Sequence, residues 1–179
     1  MLPMNKYENL VNELYPEIIV LEPQNLYQNT DWWGTFKIKD NQAYIFIEPQ
    51  QSEADKYQIL KEEFYHVLTA VNILLERPNM DYYERLSIRK QELIARHLAY
   101  KDIVTIDDLF DCWKNDLNTE WEIAEHLDIT SEFLHNAVKY LKSVYPTRFT
   151  IHTTDGKYLV KVNNTFNFYR LSPDQSAAI

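Results

Sequence analysis

Glycine is nearly missing: Gly34 and Gly156 are the only two in 179 residues. A loop that cradles phosphates needs several glycines for close backbone approach, so the sequence argues against nucleotide binding by such a loop. Cysteine is scarcer still, and the lone Cys112 rules out a disulfide within the chain. No apolar run nears the roughly 20 residues that cross a bilayer. The first residues, Met1-Leu2-Pro3-Met4-Asn5-Lys6, lack the charged stretch and apolar run of a secretory signal. A cytoplasmic location is expected, with no membrane partner. Positive charge is also short: 18 Lys and Arg stand against 27 Asp and Glu, a formal net charge of −9. Nucleic-acid binders usually carry a basic face, so a nucleic-acid partner is not expected from this balance.

What is present is apolar and aromatic. Hydrophobic residues make up 45% of the chain and aromatics 14%, enough for one well-packed domain and a small appendage. Residues 5–15 predict a short helix and Glu17-Ile18-Ile19-Val20-Leu21 a strand. Thr35–Lys39 and Ala43–Ile47 alternate in hydropathy around Asp40-Asn41-Gln42, which predicts a hairpin. Ser52 with Asp55 resembles a helix N-cap, and the helix it opens is expected from Glu53 to Leu75. Its apolar face would hold Leu60, Phe64, Val67, Leu68, Val71 and Leu75. After Pro78-Asn79 a second helix is expected over Asp81–Lys101. Thr105, Thr119 and Ser131 then open three more. The last two have helix–turn–helix spacing, with Ala124, Leu127, Ile129, Leu134 and Val138 as core positions. Asp155-Gly156 marks a further hairpin, and Phe166–Tyr169 a possible third strand.

Chemistry concentrates in Glu62-Glu63-Phe64-Tyr65-His66. Residues four apart share a helix face, so Glu62 and His66 can converge on one ion, while Glu63 can reach a water on that ion. Glu63 and His66 lie on a stripe with Ile59, Ala70 and Ile73, and Glu92 lies on one with Ile88, Ala95 and Ala99. Both stripes read as inward. Inward carboxylates are costly unless paired or bound to metal. The alternative reading is a solvated face, because Glu-rich helical turns are common on surfaces. His97 is a further candidate ligand or an ordinary half-buried histidine. Trp32-Trp33 could form a binding lip or a sheet edge, and Cys112 reads as a small buried residue.

Residues 59–69, Ile-Leu-Lys-Glu-Glu-Phe-Tyr-His-Val-Leu-Thr, resemble the active-site helix of the ImmA/IrrE family of zinc metallopeptidases. Arg89-Lys90-Gln91-Glu92-Leu93-Ile94-Ala95-Arg96-His97-Leu98-Ala99-Tyr100 resembles that family's second motif. Residues 121–134 are similar to the helical segment that follows in phage-associated members. The resemblance runs from about Gly34 to Leu141. It implies Glu62, His66 and Glu92 as metal ligands and Glu63 as the catalytic general base. Glu62 stands where the family usually has a histidine, giving a Glu/His/Glu set that can hold zinc but favours harder divalent ions more than the usual set does. Phe64-Tyr65 replaces a Leu-Gly common in the family, so Tyr65 could narrow the cleft or offer a hydroxyl there.

The fold implied is α+β with a zincin-like core, a small antiparallel sheet plus a helical bundle. Its expected organisation is a peptidase unit over 1–104, a helix–turn–helix-like segment over 105–145, a β-hairpin extension over 146–171 and a tail over 172–179. The function implied is metal-dependent cleavage of a helix-turn-helix repressor of a phage or mobile element. The strand Ala43–Ile47 is the one expected to pair with substrate. Two alternatives share the sequence: a pseudo-peptidase that binds a repressor without cutting it, and a DNA-binding regulator.

Overall fold

A computed structural model describes residues 4–69 and 80–172. Backbone contacts divide the chain into two compact units, Met1–Ile103 and Val104–Ile179. The protein is α+β, and no helix among the described residues is long and apolar enough to cross a membrane.

In the first unit, helix α1 (Lys6–Leu14) starts at a capping box. Glu8 N–H donates to Asn5 Oδ1 at 2.7 Å, and Asn5 N–H to Glu8 Oε2 at 3.0 Å, satisfying two otherwise orphaned donors. Strand β1 (Ile18–Leu21) follows, then a short helix α2 (Leu26–Thr30) that local sequence signals did not predict. The hairpin β2 (Gly34–Lys39) and β3 (Gln42–Ile47) turns at Asp40-Asn41, with φ of 52° and 63°. Positive φ at both residues is the two-residue geometry that matches strand twist. The sheet order is β1-β3-β2, with β1 parallel and β2 antiparallel to β3. It is therefore mixed rather than purely antiparallel. The parallel pairing joins strands separated by α2 and β2, a non-local choice that no turn signal encodes.

Helix α3 is described over Glu53–Thr69, so the expected stretch to Leu75, with Ala70, Val71 and Ile73, lies outside the described residues. Ser52 opens it, its Oγ accepting from Asp55 N–H at 3.1 Å. Leu60 is fully buried against Tyr7, Leu10, Ile45 and Ile47, with Phe64 and Val67 packed beside them. Leu68 departs from the expected apolar face and is 60% exposed. It sits one position past Val67, about 100° further round the helix and off the sheet side. Helix α4 (Tyr82–Ile103) begins at Asp81, whose Oδ1 accepts from Glu84 N–H at 2.8 Å. It packs along α3 and buries Ala95, Ala99, Tyr100 and Ile103.

The second unit opens with α5 (Ile106–Lys114), α6 (Glu120–His126) and α7 (Ser131–Val144). Thr105, Thr119 and Thr130 cap them through their side chains. The α6–α7 pair buries Ala124, Leu127, Ile129 and Leu134, while the ridge of α7 continues through Ala137 and Leu141. Val138 is only half-buried. Strands β4 (Arg148–Thr153), β5 (Gly156–Val162) and β6 (Phe166–Arg170) form an antiparallel meander. Phe110 meets Tyr158 and Phe168 edge-on, at 4.7 and 5.3 Å between ring centres, and closes this unit's core. Cys112 is fully buried, and burial pushes its thiol pKa up to about 11.

Candidate metal centre

Helices α3 and α4 carry Glu62 and His66 one turn apart on the former and Glu92 on the latter. One ligand atom from each lies within 4.8 Å of the others. His66 Nε2 stands 3.4 Å from Glu92 Oε2. Two ligands of a tetrahedral zinc ion sit about 3.3 Å apart at ordinary bond lengths. The His66–Glu92 spacing already matches, and the widest separation needs only a small side-chain closure. The donor set of two carboxylates and one imidazole suits zinc or a harder divalent ion, so these residues fit a divalent cation.

The four groups differ in environment. Glu62 and His66 are largely shielded, with side-chain exposures of 24% and 11%. Glu92 does not face inward as expected: its side chain is 50% exposed. Ala95 and Ala99 are the members of its stripe that reach the core, and Glu92 sits at the margin, where it leans on His66. Burial works to lower the His66 pKa, but its bond to Glu92 and the charges of Glu63, Glu92 and Glu62 outweigh that and raise it. Glu92 is held below the usual carboxylate range, first by the bond from His66. Glu63 lies outside the converging donors and is half-buried. Burial pushes its pKa up to about 7, the nearby Glu62 and Glu92 add to the rise, and His66 opposes it.

Three further residues shape this centre. Arg96, one turn beyond Glu92 on α4, donates from Nε to Glu62 Oε1 at 3.1 Å and places Nη2 3.1 Å from the same oxygen. Its sequence signal was an opposite charge four residues after a carboxylate, which is too common to single out. Phe36 of β2 stacks parallel to the His66 ring, with centres 5.9 Å apart. Gly34 lets β2 approach α3 closely. A Cβ there would lie 2.3 Å from Ile59 Cγ2 and 3.2 Å from Glu63 Cγ.

Other expectations fall elsewhere. Strand β3, containing Ala43–Ile47, is the central strand, with β1 on one side and β2 on the other, so it has no edge for a substrate. The edge beside α3 belongs to β2. Because Lys39 pairs with Gln42 across the two-residue turn, Gly34, Phe36 and Ile38 turn their backbone groups away from β3. Tyr65 engages Asp102, which raises its pKa after burial does, so its hydroxyl is directed to the far end of α4. His97 is not among the converging donors. His126 lies 3.5 Å from Asp111 and His135 3.3 Å from Glu120, both as two-residue pairs. Trp32 and Trp33 are both exposed, at 48% and 46%, and Trp33 stacks on Tyr27 at 3.8 Å between ring centres.

No family model matches this chain, and no curated protein or solved structure matches it either.

Proposed function

We propose that this protein is a metal-dependent endopeptidase of the ImmA/IrrE type with a zincin-like core in its first unit. The single observation that carries the reading is the convergence of Glu62, His66 and Glu92 from two helices, with the half-buried Glu63 beside them. Zinc is the ion we assign, with another divalent metal as the alternative, because a mixed carboxylate and imidazole set serves both. A bound divalent cation would polarise a carbonyl and acidify a water.

The chain's own residues supply the rest. Glu63, a half-buried carboxylate beside the converging ligands, is the group that would take a proton from water and pass it to a leaving nitrogen. Phe36 fixes the plane of the His66 ring by stacking on it. The outward backbone groups of Gly34, Phe36 and Ile38 offer an extended segment main-chain hydrogen bonds next to Glu63. The substrate class we assign from the resemblance is a helix-turn-helix repressor of a phage or mobile element.

A second reading is a pseudo-peptidase that binds such a repressor without cutting it. One observation favours it: Arg96 already occupies an oxygen of Glu62. Metal analysis of purified protein separates the two. The peptidase reading expects one divalent ion per chain, lost in His66→Ala and Glu92→Ala. It also expects Glu63→Gln to keep the ion while losing repressor cleavage. A wild-type chain free of metal after incubation with zinc or manganese would reject it.

A further inference from the structure

Charge in the second unit is segregated along the chain. Residues 104–135 hold nine carboxylates and one lysine, whereas residues 136–172 hold six lysines and arginines and one carboxylate, Asp155. The C-terminal sheet gathers much of this positive charge on one face. Register partners in an antiparallel pair share a face. Arg148 stands opposite Lys161 and His152 opposite Lys157, separated by the pair Thr150 and Leu159. From β6 the same face receives Tyr169, opposite Leu159, and Lys161 Nζ lies 4.8 Å from its ring centre. The opposite face buries Tyr158, Val160, Phe166 and Phe168, while Arg148, His152 and Tyr169 are exposed. No strand position on the cationic face is Asp or Glu.

Like charges directly opposite one another weaken a sheet. A surface that keeps Arg148 against Lys161, with no carboxylate at the strand positions of that face, works against its own stability, and such departures mark functional positions. An anionic partner would relieve the repulsion. The face offers a protein partner little to anchor on, since among the described residues Leu159 and Tyr169 are the large apolar groups at its strand positions. A phosphate backbone, by contrast, needs only cations and hydrogen-bond donors.

We propose that this outer face of the β4–β5–β6 sheet binds the phosphate backbone of a nucleic acid, with Arg148 and Lys161 at the centre of the contact. The net charge of −9 does not oppose it, because local charge governs contact and nine of this unit's carboxylates lie in residues 104–135, outside the sheet. The surface is independent of the metal centre and stands or falls without it.

Fluorescence anisotropy with a short labelled oligonucleotide, single-stranded or duplex, tests the proposal on the full chain. Binding that weakens steeply as salt rises is expected. Lys161→Glu and Arg148→Glu each create an opposite-charge pair across the strands, so each variant should melt no lower than the wild type. Each should nevertheless lose about tenfold or more in affinity and reduce the salt slope by about 1. Absence of oligonucleotide binding, variants that bind as tightly as the wild type, or binding of poly-glutamate in place of the oligonucleotide would each overturn it.

Discussion

Arg96 sets two nitrogens on a single oxygen of Glu62, both at 3.1 Å. A carboxylate at this position carries a negative charge that a neutral imidazole would not, and the guanidinium cancels it. The same contact makes Arg96 a competitor for any cation that Glu62 would ligate. Arg96→Gln should therefore tighten zinc and manganese binding, by about tenfold or roughly 1.4 kcal/mol. Competition against a chromophoric chelator reads this directly. Weaker binding in the variant would instead show that Arg96 orients Glu62 for the metal.

The raised pKa of Glu63 gives the metal-free protein a specific pH dependence. Below the ordinary carboxylate pKa of about 4.5, folded and unfolded chains are both protonated and the burial of Glu63 costs nothing. As pH climbs from about 4.5 the unfolded chain ionises while the folded one resists, so stability is lost until the folded carboxyl ionises as well, at about 7. Glu63→Gln removes that loss. In chelator, the variant should gain up to about 3 kcal/mol over the wild type between pH 4.5 and 8. Urea unfolding across that range checks it, and a constant difference between the two proteins would refute the assignment.

Gly34 has no room for a methyl group. With Ile59 Cγ2 2.3 Å from the Cβ position, Gly34→Ala must push β2 off α3 or displace Ile59. A loss of about 1–3 kcal/mol is expected from such overpacking. Ile59→Ala in the same chain should recover part of it, and a double-mutant cycle by denaturant unfolding measures the recovery. Additive effects would show that the two sites do not touch.

Lys56 is nearly buried, yet its ammonium lies 3.2 Å from Glu22 and 3.0 Å from Glu53, and Tyr7 Oη donates to Glu22 at 2.8 Å. Lys56→Met preserves the aliphatic stem and leaves Glu22 with the Tyr7 hydroxyl alone. The expected cost is about 1–3 kcal/mol, read as a lower denaturation midpoint with unchanged slope. A neutral result would mean the pair merely offsets its own desolvation.

Much of the local structure of both units was legible in the sequence. Asn5 with Glu8, Ser52 with Asp55 and Thr119 with Glu122 are caps whose partners lie three residues apart, so the chemistry that starts each helix is written locally. Asp40-Asn41 likewise set the β2–β3 turn. Helix α2 escaped because its anchor is remote. Glu48 is buried and accepts from Tyr27 N–H at 2.8 Å, a contact 21 residues away in sequence. The β1–β3 pairing escaped for the same reason, and with it the fact that β2 rather than β3 carries the edge beside α3.

Helical periodicity alone put Glu62 and His66 on one face, because a 3.6-residue turn leaves no freedom about which side chains align. Spacing within α4 likewise set Glu92 and Arg96 one turn apart. Only the packing of α3 on α4 decided that Glu92 reaches His66 while half exposed, that Arg96 lands on Glu62, and that Tyr65 turns to Asp102. Those outcomes depend on helix rotation and translation, which side-chain volumes across the interface fix and no single segment encodes. The opposition of Arg148 and Lys161 has the same origin: strand alternation fixes which residues share a face, but register alone sets like charge against like.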